Sequence, residues 1–148
     1  MVSRVFSAGL SGIDGYIVTV ECFLSGGLPR LDVVGLPTGA VSEAGERVRA
    51  AAKACAFDWP VSRLTVNLAP ADTKKAGTAY DLLLLLSILA AAGEIDAPPD
   101  NALFFGELSL TGELRPVCGA LSMALAARDA GFKTVFVPAM NAAEASYA

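Results

Sequence analysis

The sequence predicts one α+β domain in which helices pack on a mixed sheet. Three observations lead there. Residues 16–25 alternate, with Tyr16, Val18, Val20, Cys22 and Leu24 on one fully apolar face and Ile17, Thr19, Glu21, Phe23 and Ser25 on the other, the period of a strand. From Val41 the apolar spacing changes to three and four residues, the period of a helix. Further on, Thr111-Gly112 suits a tight turn between two short strand-like runs. Strands and helices therefore interleave, and hairpins exclude a purely parallel sheet.

Taken in order, residues 2–8 form a partner strand for 16–25, and the glycines and Asp of residues 9–15 make the connection. The second face of 16–25 is mixed, so another element covers part of it. Gly26-Gly27-Leu28-Pro29 turns the chain into a strand at 31–35. A helix follows, capped by Thr38 or Ser42, with Val41, Ala44, Val48, Ala51, Ala52 and Cys55 on its apolar face. Glu43 and Arg47 attract at i,i+4 while Arg49 and Lys53 repel, each by only tenths of a kcal/mol. Asp58-Trp59-Pro60 ends this unit, and 63–68 is a strand with Leu64, Val66 and Leu68 facing one way.

Residues 67–77 read as an irregular loop. Thr78-Ala79-Tyr80-Asp81 has the form of a capping box for a second helix. Its body, 82–92, has Ser87 as its one polar residue, so it is buried on all sides or packs on another subunit. After a proline-bearing loop at 94–100 come a short strand at 103–106, the hairpin at 107–115, a helix at 119–130 and a strand at 133–137. Asn141 caps a fourth helix, which stops at Ala148. The expectation is a single domain over residues 1–148, truncated from a longer chain.

The 148 residues are 54% apolar and 18% charged, with a mean hydropathy of +0.54. Such a chain buries enough apolar surface to offset its ordering entropy, which excludes disorder. The net charge of −4 speaks against unaided binding of duplex DNA, whose affinity comes largely from phosphate neutralisation. There is no His, so the commonest general base and metal ligand is missing. Cys22, Cys55 and Cys118 lie far apart and are odd in number, which argues against a disulfide framework and for a reduced, cytoplasmic setting. The N-terminus lacks the order of a signal peptide, and the oily run at 82–92 is about half a membrane span. No membrane association is expected.

Absences narrow the chemistry further. No Gly-x-x-x-x-Gly-Lys-[Ser/Thr] occurs, so a triphosphate cannot be cradled in the P-loop manner. No metal-ligand cluster is visible, and no metal site is expected. Without His, only a Ser–Lys arrangement remains open for nucleophilic catalysis. Lys74 and Lys75 sit in a polar loop that would keep them charged; they read as a solvated tip or as contacts to an anion or partner. Asp72, Asp81, Glu107 and Glu113 lie near glycines. Asp81 reads as a helix-start carboxylate favoured by the dipole, and the two glutamates as flanks of a surface turn. Arg115 offers an anion contact or a structural ion pair. Cys118, just before a helix, defaults to a small buried hydrophobe.

Two long runs carry a resemblance. Val66-Asn-Leu-Ala-Pro-Ala-Asp-Thr-Lys-Lys-Ala-Gly77 and Gly106-Glu-Leu-Ser-Leu-Thr-Gly-Glu-Leu-Arg-Pro-Val117 resemble the amino-terminal domain of the magnesium-chelatase-like (YifB/ComM) AAA+ family. Leu31-Asp-Val-Val-Gly-Leu-Pro37 and Glu46-Arg-Val-Arg-Ala-Ala51 match it too, so the resemblance covers essentially the whole chain. One departure is the stretch 77–83, where the family usually has prolines after the Gly and the Leu. The second half also resembles the proteolytic domain of Lon. The fold implied is that of the second domain of ribosomal protein S5, a mixed sheet with packed helices.

In Lon-type enzymes a Ser two residues after the loop Gly is the nucleophile, and a Lys early in the next long helix is its base. Carried across, those positions are Ala79 and Leu121. Neither can do the chemistry, so the resemblance implies a lobe without peptidase activity, its vestigial Ala79 and Leu121 facing each other across a dry pocket. A rearranged dyad such as Ser122 with Lys75 is the alternative. Full-length relatives continue into an AAA+ ATPase module that uses ATP and Mg and forms a hexamer. The lobe's expected partners are that module, neighbouring subunits and, through the parent, DNA in branch migration during natural transformation. Direct DNA contact through Arg47, Arg49, Lys53, Lys74 and Lys75 is a further alternative. In this fragment itself no cofactor is expected.

Overall fold

The alternating stretch becomes one half of a long hairpin at the centre of the sheet. In the computed structural model, which describes residues 2–69 and 80–148, β1 (Val2–Ser11) pairs antiparallel with β2 (Asp14–Ser25) along its whole length. The loop is thus Gly12 and Ile13 alone, shorter than the 9–15 connection expected from the glycines. Gly12 takes a φ of +65°, which a glycine adopts at no steric cost. Gly9 and Gly15 stay inside the ladder because neighbours lie close. A Cβ on Gly9 would come within 2.7 Å of the Tyr16 ring, and one on Gly15 would strike the backbone of Ser122. Glycine in a strand often marks such an approach rather than a turn.

Around this hairpin the remaining strands add on both sides. β3 (Arg30–Val34), α1 (Thr38–Ala54) and β4 (Arg63–Ala69) form a crossover unit with β3 and β4 parallel. β4 then pairs antiparallel with β2. After α2 (Asp81–Ala91), β5 (Ala102–Phe104) joins β1 in parallel. A small hairpin of β6 (Glu107–Leu108) and β7 (Leu114–Arg115) precedes α3 (Ala120–Asp129). β8 (Thr134–Phe136) pairs parallel with β5, and α4 (Ala142–Ala145) ends the order. The six-stranded sheet runs β3-β4-β2-β1-β5-β8. This mixed sheet with packed helices is the α+β class the sequence predicts.

Side chains alternate across a strand, and here the alternation feeds two cores. Val5, Val18, Val20, Cys22, Leu64, Val66 and Leu68 pack with α1 and α2. Ala8, Ile17 and Leu103 take the opposite face and meet Met123, Ala120 and Ala127 of α3. The mixed face of β2 is therefore covered where α3 crosses it, while Phe23 stays exposed. α2 is buried nearly all round by its own chain, and Leu82, Leu83, Leu84, Leu85, Ile88 and Leu89 are all core. Each such side chain stabilises by about 1.5–3 kcal/mol. Ser87 is accommodated by donating to the Leu84 carbonyl, and Ser3 donates to that of Ser87.

Several end signals resolve differently from the sequence reading. Neither Thr38 nor Ser42 caps α1: the N-cap is Pro37, with no side-chain cap, and Thr38 is already helical. Cys55 leaves the apolar face, forms the C-cap and is exposed. α2 has Tyr80 as N-cap without a side-chain cap; Thr78 lies outside the described residues. Asn141 stands at the N-cap of α4, as expected, but its side chain makes no cap hydrogen bond. Its amide instead clamps the backbone of one residue, accepting from Val117 N–H at 2.9 Å and donating to Val117 O at 3.1 Å. Cys118 is exposed, not buried.

Candidate functional site

The starts of α2 and α3 are where the sequence places the vestigial positions. Both lie beside the first residues of β2, on opposite faces of the sheet. Consecutive residues make the two contacts: Tyr16 reaches the hydroxyl of Tyr80 at 3.4 Å, and Gly15 admits the backbone of Ser122. Ala79, Lys74, Lys75 and Asp72 lie outside the described residues, as does the pairing of Ala79 with Leu121. Described in full are the shoulders of the site.

On the α2 side the anchor is an ion pair. Asp81 opens the helix with its side chain 2% exposed, and Arg47 of α1 grips it with both nitrogens, Nε to Oδ2 at 2.6 Å and Nη2 to Oδ1 at 3.1 Å. A bidentate guanidinium–carboxylate pair is among the strongest hydrogen-bonded arrangements. The bond to Asp81 raises the Arg47 guanidinium above its ordinary value, so it stays charged. The sequence pointed to a Glu43–Arg47 pair along α1. It missed the tertiary pair because the partners stand 34 residues apart, beyond any periodicity signal. Burial, then the hydrogen bond to Tyr16, holds the Tyr80 phenol well above its usual value. The phenol therefore stays protonated near neutral pH.

On the α3 side Leu121 is half-buried in the first turn. Its backbone N–H donates to Glu144 Oε2 of α4 at 2.8 Å. A carboxylate thus sits on the helix N-terminus, where the dipole favours it. At the position where the Lon-type pattern has an amine, this chain offers an aliphatic side chain. Ser122 is half-buried in the same turn, and its proposed partner Lys75 is not described.

The other residues singled out do not form one cluster. Arg47 is committed to Asp81. Arg49 and Lys53 are exposed on α1, and Arg49 lies over the Trp59 ring at 5.5 Å. Arg115 is exposed on β7, opposite Glu107 in register. Its hairpin leans on the end of α1 near Lys53, since a Cβ on Gly112 would strike Cys55 Sγ. Burial pushes the Cys22 thiol up to about 11, so it is no nucleophile. Among the described residues no group of three or more His, Cys, Asp or Glu could hold a metal ion, and no helix is long and apolar enough to cross a membrane. The sequence holds no P-loop pattern.

Comparison with known proteins adds to this geometry. The family model for subunit ChlI of Mg-chelatase matches residues 20–141. An uncharacterized protein of Mycobacterium tuberculosis is 44% identical over 98% of this chain and 29% of its own length. Competence protein ComM of Haemophilus influenzae is 42% identical, over 96% of this chain and 28% of its own. YifB of Escherichia coli is 42% identical, over 90% of this chain and 27% of its own. The chain thus spans less than a third of the length of these relatives. A mitochondrial Lon protease homolog of Caenorhabditis briggsae is 36% identical over 54% of this chain, in keeping with a mixed sheet that carries helices on both faces. Matched by the ChlI model over most of its residues and by ComM and YifB over nearly all of them, the chain belongs to the Mg-chelatase ChlI-like family.

Proposed function

We propose that this domain is a non-catalytic, Lon-like lobe of a longer Mg-chelatase-like AAA+ ATPase of the cytoplasm, where it supports ring assembly or positions DNA or a partner. The observation that carries the reading is Leu121. A peptidase of this design needs an amine early in α3, and here that turn presents an aliphatic side chain with its backbone N–H on Glu144. The second lost position, Ala79, supports the same reading from the sequence alone. ATP and Mg belong to the parent's motor module, and the neighbouring subunits of a hexamer are the lobe's partners. The kinship with a competence protein supports DNA branch migration during natural transformation as the parent's task.

The test is twofold. Incubated with fluorogenic casein, the chain releases no peptide above a buffer blank; turnover that Ser122→Ala abolishes overturns the reading. In the longer parent, deletion of residues 1–148 lowers the ring population seen by light scattering or its DNA branch-migration rate. If both are unchanged, the lobe has neither role.

A further inference from the structure

A groove of about 590 Å³ lies away from the helix starts, between the outer edge of β3 and α1. Its lining includes the consecutive residues 29–33. Successive side chains of a strand point to opposite faces, so a groove that touches all of them runs along the strand's edge rather than over one face. Among the described residues β3 pairs with β4 alone, which leaves alternate N–H and C=O groups of its outer edge without a ladder partner. The facing wall is one side of α1: Thr38, Ser42, Gly45, Glu46 and Arg49. Gly45 keeps that wall low, since even a Cβ there would come 3.2 Å from Leu31. Apolar side chains, among them Leu31, Val33, Leu36, Val41 and Leu64, supply the rest of the lining.

An open strand edge beside a helix suits an extended backbone, which adds as a further strand while its alternate side chains enter the groove. Charge narrows the occupant. Arg49 lies against Trp59 at the end of the groove where β3 begins, and it has no carboxylate partner among the described residues. Asp32, the nearest acid on the strand, is held by Arg30 at 3.0 Å and Arg63 at 3.9 Å. Glu46, one turn earlier on the wall, disfavours a second acid there. Among the described residues the chain's own open edges offer no matching strand: Asp32 of β3 is engaged, β8 is Thr134-Val135-Phe136, and Glu107 stands on β6, which at two residues is too short to pair along β3. A segment of another protein fits better than a second copy. We propose that the β3–α1 groove binds an extended segment of a partner protein as an added strand, with an acidic side chain of that segment on Arg49.

The probe is a synthetic peptide of alternating Val and Thr with one Asp at its end, titrated into the isotope-labelled chain and followed by amide chemical shifts. Saturable shifts at residues 30–34 and along the outer side of α1 are expected. Arg49→Glu weakens the Asp probe by about tenfold, and a probe with Lys in place of Asp then prefers the Arg49→Glu variant. Ser42→Trp, which fills the groove from an exposed helix position, abolishes binding of both. Equal binding by a probe with Pro at alternate positions overturns strand addition, because such a peptide lacks the N–H donors. Absence of saturable shifts at millimolar probe overturns the site. Shifts at β3 that follow protein concentration alone, without probe, overturn the choice of partner in favour of a second copy.

Discussion

The starts of α2 and α3 both bring a carboxylate to the first turn of a helix, yet in opposite ways. At α2 the acid belongs to the helix, is almost wholly buried, and is gripped in a fork by Arg47. At α3 the acid comes from outside, from exposed Glu144, and meets one backbone N–H. The first arrangement welds α2 to α1 within the larger core. The second holds a small helix on the smaller core, with a glycine at a φ of +82° to open it. The same electrostatic preference is thus used once as a buried weld and once as a surface trim, and the two should fail at very different cost.

Breaking the weld has the largest effect. Arg47→Ala leaves the Asp81 carboxylate buried and unpaired, and should cost about 3–5 kcal/mol in urea unfolding. A double substitution, Arg47→Met with Asp81→Leu, should recover most of that, because removing both charges spares the desolvation penalty. Equal losses for the single and double variants would mean that packing, not the buried charge, sets the cost.

Next comes the glycine that opens α3. Gly119→Ala forces a left-handed backbone on a residue with a Cβ and drives that atom into Leu10. A loss of about 1–3 kcal/mol is expected. If amide exchange speeds up in α3 but not in α2, the two cores open separately; a uniform increase would join them into one cooperative unit.

The trim should cost least. Glu144→Gln keeps an acceptor near Leu121 N–H but removes the charge, for a loss of about 0.3–0.5 kcal/mol that shrinks further in salt. Amide exchange at Leu121 is the sensitive readout. A loss as large as that of Arg47→Ala would erase the distinction between the two helix starts.

Much of this architecture was legible because period carries it. The alternation of residues 16–25 gave the inner face of β2, and the 3–4 spacing gave the buried stripe of α1 through Val41, Ala44, Val48, Ala51 and Ala52. The solid apolar run gave α2. What escaped was whatever depends on a partner distant in sequence. Gly9 and Gly15 looked like turn residues, and only the approach of Tyr16 and α3 explains why they stay in strands. Asn141 does stand at the N-cap of α4, but its amide bonds to Val117, 24 residues away, rather than to the helix. At the candidate site, resemblance to the Lon pattern is what singles out Leu121 in the sequence. Its backbone tie to Glu144 was not legible, because nothing local in either segment announces it.

The central hairpin has a consequence for how the chain assembles. β1 and β2 are neighbours in sequence and zip from a two-residue loop, and β3, α1 and β4 close a compact crossover beside them. The far flank is different: its first pairing aligns Phe6 with Leu103, and β8 then attaches to β5. Distant pairings form slowly because the intervening loop must be closed before they repay its entropy. A nascent chain therefore completes one side of the molecule early and waits for the other. Until β5 arrives, the outer edge of β1 is a bare template, the place where a chaperone or a stray strand would reach it first.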